Sequence, residues 1–189
     1  MKITLSKEKM LERCRKAGGL EPLRTDCTVE VSAGIDVNGH LELMLRKWYL
    51  DLLDTGDREL VAADNIAASV TAALNEGDTG GAVLTMPALC RRVFDVKMRG
   101  WATGTTVLPA SEYGRVASLQ LNPFTAATAA FPVAVSLPGA TAGRAADVAV
   151  WPATASPRAE AVVAALDPGA DYYTLDERAL GELEKLMRS

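Results

Sequence analysis

Residues 85–101 read TMPALCRRVFDVKMRGW, and the fold turns on how that run is read. Pro87 suits the first position of a single helical turn over PALCRR, where a missing N–H is no loss. From Arg92 onward Val93, Phe94, Asp95, Val96, Lys97 and Met98 alternate imperfectly between apolar and polar, and Gly100 with Trp101 closes the run. β-Branched and aromatic residues near period two predict a mostly buried strand. Just upstream, AVLTMP is extended for the same reason. Downstream, FPVAVSLPG (131–139) and ADVAVWPA (146–153) predict two more strands, with GATAGRA between them as a hairpin tip. RAEAVVAALD (158–167) predicts a last strand, although its alanines equally permit helix. Between these, PASEYGRVASL (109–119) allows one helical turn or more, and the proline-bounded NPFTAATAAFP (122–132) reads as a long loop.

Helices flank this strand-rich centre. LSKEKMLERCRKAGG (5–19) places Leu5, Met10, Leu11 and Cys14 near one face, with Ser6 as N-cap and Gly18–Gly19 as a stop. In HLELMLRKWYLDLLDTGD (40–57) Leu41, Leu45, Trp48 and Leu52 form a stripe that Met44 and Tyr49 widen. A further helix is predicted over Asn65–Leu74, capped by Asp64 or Asn65, with Ile66, Val70 and Leu74 on one face and NEGDTGG as the turn after it. TLDERALGELEKLMRS ends the chain with Thr174 and Glu177 at capping-box spacing and Leu175, Ala179, Leu183 and Leu186 on one face. TDCTVEVSAGIDVNGH (25–40) reads as an irregular connection. Helices, then strands, then a helix make an α+β order without βαβ alternation: N-terminal helices, central mostly antiparallel strands and a C-terminal amphipathic helix. One domain is expected over 1–189, helical over about 1–76, strand-rich over about 81–167 and helical again over about 175–188.

The composition is that of a globular chain, 49% hydrophobic and 23% charged in 189 residues, but only 5% aromatic. Alanine supplies much of the apolar content, so the core must depend on a few large side chains. A net charge of −4 disfavours a protein whose main task is gripping nucleic acid. The three cysteines, Cys14, Cys27 and Cys90, show no C-x-x-C spacing and indicate neither a disulfide framework nor a tetrahedral zinc site. A reducing compartment is expected. The charged N-terminus lacks the apolar region of a signal peptide, and no window approaches the ~20 apolar residues of a membrane span. The chain therefore reads as unsecreted, without membrane contact.

Candidate chemistry is sparse. His40 is the sole histidine and sits at a turn where a capping or surface role is the ordinary one. DVNG at 36–39 resembles the opening of a calcium loop, yet the twelfth position is Lys47 rather than glutamate. GDTGGAV lacks the G-K-[ST] of a phosphate loop. Asp51, Asp54 and Asp57 read as a solvated face. Cys90 beside Arg91 offers a thiol whose pKa an arginine would lower, but its context is apolar. No catalytic residue, metal ligand or cofactor is predicted. What stands out is the basic group Arg91, Arg92, Lys97 and Arg99. Either these residues contact phosphates or an acidic partner, with Trp101 as a stacking platform, or Arg91 and Arg92 cap a turn while Lys97 and Arg99 line a strand's solvent face.

The order of these phrases carries a resemblance. MPALCRRVFDVKMRGW, preceded by LRKWYLDLLDTGD and followed by NPFTAATAAFPVAVSLPG, ADVAVWPA and a terminal helix, resembles structural proteins of tailed phages and prophages of gut Bacteroidetes. The likeness is to head-to-tail connector, adaptor, neck or ring proteins of the crAss-like type, and touches about two thirds of the chain as an order of elements and short phrases. It implies a non-enzymatic virion protein in a ring, touching its own subunits and portal or tail proteins, in the bacterial cytoplasm or the virion. DNA would pass such a ring without sequence-specific binding. Arg91, Arg92, Lys97, Arg99 and Trp101 then become candidate contacts, and residues 122–132 a segment that orders against a neighbour. Two other readings stay open: a soluble bacterial binding domain with no phage role, and an enzyme working through carboxylates or a thiol.

Overall fold

A computed structural model describes residues 1–19, 37–75, 80–138 and 145–188. Cys27, most of the connection over 25–40, most of the turn NEGDTGG and nearly all of the hairpin tip GATAGRA lie outside the described residues. Among those described are four α-helices and ten strands, an α+β fold. They group into two compact units, one built from Met1–Ala62 and Asp167–Ser189, the other from Ala63–Leu166. The terminal helix thus belongs with the N-terminal helices.

In the first unit strand β1 (Lys2–Ser6) runs into helix α1 (Lys7–Ala17), and helix α2 (Val37–Thr55) follows. Ser6 accepts from the Lys9 N–H and Gly18 donates back to the Cys14 carbonyl, the cap and stop expected from the sequence. Met10, Leu11 and Cys14 are buried on α1, and Leu41, Leu45, Tyr49, Leu52 and Leu53 on α2. The stripe on α2 is rotated from the expected one: Tyr49 lies at its centre, Trp48 is half-buried and Met44 is exposed. The last strand, β10 (Tyr172–Asp176), pairs antiparallel with β1 and feeds helix α4 (Glu177–Arg188).

That strand corrects the expected N-cap. Thr174 is not a helix cap; it sits in β10 opposite Thr4, and the helix starts after Asp176, whose Oδ1 accepts from the Arg178 N–H at 3.1 Å. Tyr172, Tyr173 and Thr174 suit a pleated surface once β1 supplies a partner. The carboxylate of Asp176 is held well below the ordinary range, chiefly by the Met1 ammonium and then by the backbone and guanidinium of Arg178.

The second unit is an eight-stranded sheet in the order β2-β9-β5-β6-β7-β8-β4-β3. The strands are β2 (Ala63–Asn65), β3 (Thr71–Leu74), β4 (Ala82–Thr85), β5 (Cys90–Met98), β6 (Thr105–Leu108), β7 (Val133–Ser136), β8 (Val148–Trp151) and β9 (Ala159–Leu166). All neighbours are antiparallel except β6 and β7, whose parallel pairing uses the crossover through helix α3 (Tyr113–Gln120) and residues 121–132. The strand predicted from Arg92 onward is present but begins at Cys90, so the expected helical turn over PALCRR is cut to a turn closed by the Cys90 N–H on the Pro87 carbonyl at 3.0 Å. Along the strand Cys90, Phe94, Val96 and Met98 are buried and the intervening residues half-exposed. Bulges along its pairing with β9 account for the imperfect alternation. Strands at 133–136, 148–151 and 159–166 match the predicted ones.

The helix predicted over Asn65–Leu74 is absent. That segment is β2, a 3₁₀ turn at Ala67–Ser69, and β3 paired with β4 from Thr71↔Thr85 to Leu74↔Ala82. Alanine intrinsically favours helix, and here the ladder partners β4 and β9 override that weak preference. Asn65 caps no helix: its Oδ1 accepts from Ala67 N–H at 3.2 Å and Val162 N–H at 3.0 Å, closing the turn and joining it to β9.

Candidate functional site

The five predicted contact residues do not form one cluster. Trp101 is unavailable as a stacking platform, being 5% exposed in the core with its indole N–H donating to the Pro152 carbonyl at 2.8 Å. Arg91 and Arg92 are half-buried at the start of β5, where the Arg92 guanidinium lies 4.9 Å from the centre of the Phe94 ring. Both line a small recess of about 290 Å³ with Val107, Pro109 and Ser136. Lys97, further along the strand, makes a 3.0 Å ion pair with Glu160 of β9. With both partners part-exposed, that pair adds little to stability.

Arg99 follows the end of β5 and stands apart from the others. Its backbone N–H bonds the Arg158 carbonyl at 2.8 Å, continuing the register in which Met98 faces Ala159. Both arginine side chains are exposed and line a recess of about 530 Å³ with Asn65, Ala67, Ala68 and Glu160. Neither guanidinium has an acidic partner among the described residues, since Glu160 is engaged by Lys97. Sequence reasoning missed Arg158, which it took only as the start of a strand. The signal that finds it is the β5–β9 register, which no local pattern contains.

Residues 121–132 make a second surface feature. The loop is tied down by its own hydrogen bonds: Gln120 Oε1 accepts from Ala127 N–H at 2.8 Å, Asn122 Oδ1 from Phe124 N–H at 2.9 Å, and Thr125 Oγ1 donates to the Leu119 carbonyl at 2.8 Å. The Ala129 carbonyl accepts from Ala102 N–H at 2.8 Å. A long loop is therefore correct, but its backbone is fixed without a neighbour. On this frame Leu121 is 73% exposed, Phe124 95% and Phe131 80%.

In the helical unit His40 is exposed and lines a recess with Lys7, Glu42, Arg46 and Tyr173. The cations there are paired, Lys7 with Glu42 at 3.4 Å and Arg46 with Asp167 and the Gly169 carbonyl. Asp51, Asp54 and Asp57 are exposed, and no group of three His, Cys, Asp or Glu able to hold a metal occurs among the described residues. Cys90 is fully buried, and burial followed by the Glu184 carboxylate pushes the Cys14 thiol up, away from the thiolate a nucleophile needs. No described helix is long and apolar enough to cross a membrane.

No family model and no curated protein matches the chain.

An ordered loop presents apolar side chains to water, and a recess presents two guanidinium groups without an acidic partner among the described residues. A third surface is apolar as well: on α2 and α4, Met44, Trp48, Leu183, Leu186 and Met187 line a groove that encloses only about 20 Å³, with Met44 and Leu186 exposed.

Proposed function

We propose that this chain is a non-enzymatic structural protein of a phage or prophage virion, a head-to-tail connector that assembles into a ring through contacts between copies of itself and with portal or tail proteins. The observation that carries the reading is the loop of residues 121–132, which holds Leu121, Phe124 and Phe131 out in water. Burying a phenylalanine recovers about 1.5–3 kcal/mol. Because the backbone is already pinned, little ordering entropy opposes that recovery on association.

A ring needs a head-to-tail contact between two different surfaces of one chain. Here an aromatic knob on the β unit packs, on a second copy, against the exposed Met44 and Leu186 of the apolar groove of α2 and α4, which is itself too small to take a ring. Charge agrees with this pairing: residues 63–166 carry seven acidic and seven basic side chains, so the net charge of −4 falls on the helical unit alone. A neutral knob meeting an acidic unit avoids the repulsion that two like-charged faces would meet.

Analytical ultracentrifugation over a concentration series tests the reading. The wild-type chain is expected to associate, and Phe124→Ser/Phe131→Ser and, separately, Met44→Glu/Leu186→Glu to remain monomeric with unchanged circular dichroism. Mixing the two variants leaves one intact knob and one intact groove, so a dimer that stops there is expected. A wild-type chain that stays monomeric at every concentration overturns the ring and leaves a monomeric binding domain as the better account.

A further inference from the structure

We propose that the recess between the end of β5, the start of β9 and the 3₁₀ turn at Ala67–Ser69 binds a phosphate group, with Arg99 and Arg158 as the cationic ligands and the Asn65 amide as a third donor. Two guanidinium groups on neighbouring strand ends repel each other, and like charges side by side in a sheet are destabilising. Of the other basic side chains the sequence singled out, Arg92 lies over Phe94 and Lys97 pairs with Glu160. Arg99 and Arg158 have none among the described residues, while lining the same recess.

The rest of the lining fits an anion. Asn65 Oδ1 is used by the Ala67 and Val162 N–H groups, which fixes the amide and leaves its Nδ2–H donors without a partner among the described residues. Ala67 and Ala68 keep the wall low, so a bulky group can come close to the guanidinium forks. At about 530 Å³ the recess exceeds a bare phosphate and has room for the ester group attached to it. One carboxylate would neutralise only one of the two arginines; a phosphate dianion, or two adjacent phosphodiesters, answers both. Glu160 opposes binding from the same recess, and Lys97 holds its carboxylate at 3.0 Å. The site therefore has a built-in counterweight whose removal changes affinity in a known direction.

The inference does not depend on the ring, and is tested on the full-length Phe124→Ser/Phe131→Ser chain as well as on wild type. Isothermal titration with inorganic phosphate is expected to show saturable binding by both. Arg99→Gln and Arg158→Gln are each expected to weaken it at least about tenfold, the loss of one charge-assisted hydrogen bond. Glu160→Gln is expected to tighten it. All three residues are exposed, so folding is not at stake, and the charge reversal Arg158→Glu should abolish binding. A short DNA duplex of arbitrary sequence distinguishes the source. If phosphate competes with the duplex and the arginine variants lose both, the ligand is a phosphodiester backbone; if phosphate binds and the duplex does not, it is a small phosphate ester. Absence of phosphate binding by wild type, binding unchanged in both glutamine variants, or preference for a glutamate-rich peptide over phosphate overturns the proposal.

Discussion

Trp151→Ala is expected to lower the stability of residues 63–166 by about 3–5 kcal/mol. Trp151 is the largest fully buried side chain, packed on Val116, Val135 and Ala149 with the Tyr113 ring 6.4 Å from its own. The surrounding side chains are small, and β8 is buried along its whole length, so the hole has little to collapse into. Gly81 shows how tight the fit is: a Cβ there would lie 2.5 Å from the indole nitrogen. That nitrogen is also a buried donor without a partner among the described residues. Trp151→Phe removes the orphaned donor along with some volume and should cost much less than Trp151→Ala. Gly81→Ala alone is expected to destabilise by about 1–3 kcal/mol through overpacking. Hydrogen exchange of the β7 and β8 amides reads each effect; equal protection in Trp151→Ala and wild type would show that the ring is not a keystone of this core.

The second large effect belongs to Tyr49. Its hydroxyl accepts from the Thr174 N–H at 3.1 Å and donates to the Thr174 carbonyl at 3.0 Å. Those backbone groups point away from β1, so Tyr49 satisfies the open edge of β10 at its midpoint. Tyr49→Phe keeps the ring against Tyr173, 5.0 Å between centres, yet strands both backbone groups, and about 1–3 kcal/mol of stability should be lost. The hydroxyl also predicts a pH response. Burial pushes it up to about 12, with the Thr174 bond pulling the other way and the Asp167 carboxylate adding to the rise. An unfolded-chain tyrosine ionises near pH 10, so the stabilisation is complete below about pH 10 and is lost as pH rises towards 12. The loss is on the order of 2 kcal/mol. Urea midpoints at pH 8 and pH 11 compare the two chains. The drop should be smaller in Tyr49→Phe, and an identical drop would assign the alkaline sensitivity to other groups.

How much of this was legible in the sequence depends on where each element's partner lies. Helices α1 and α4 carry their own amphipathic stripes, and β5 its near alternation, so their residues alone disclose them. The segment Asn65–Leu74 does not: alanine-rich, it obeys whichever backbone partners it meets, and β4 and β9 are those partners. Strands β1 and β10 were hidden for the same reason, each lying directly against a helix whose signal is stronger. The candidate contact residues divide in the same way. Arg99 was visible as a basic residue at a strand end, but its pairing with Arg158 is a fact of register. Trp101 was misjudged as a platform because the polar partner that lets an indole sink into a core, here the Pro152 carbonyl, comes from a distant strand end. Phe124 and Phe131 resemble core residues in composition, and only the fold shows that they face water.

The pairing of β1 with β10 also sets an order of events during synthesis. Lys2 finds its partner in Asp176, 174 positions later, whereas every strand of the eight-stranded sheet pairs within residues 63–166. A chain emerging from the ribosome can therefore complete the sheet while the first helix still lacks the strand and helix that cover it. Met10, Leu11 and Cys14 are fully covered only once β10 and α4 have joined α2 against them, so residues near one end of the pairing wait for residues near the other. A stop between Leu166 and the start of β10 leaves a finished β unit trailing an apolar helix without its strand and its helix partner, a fragment suited to capture by chaperones.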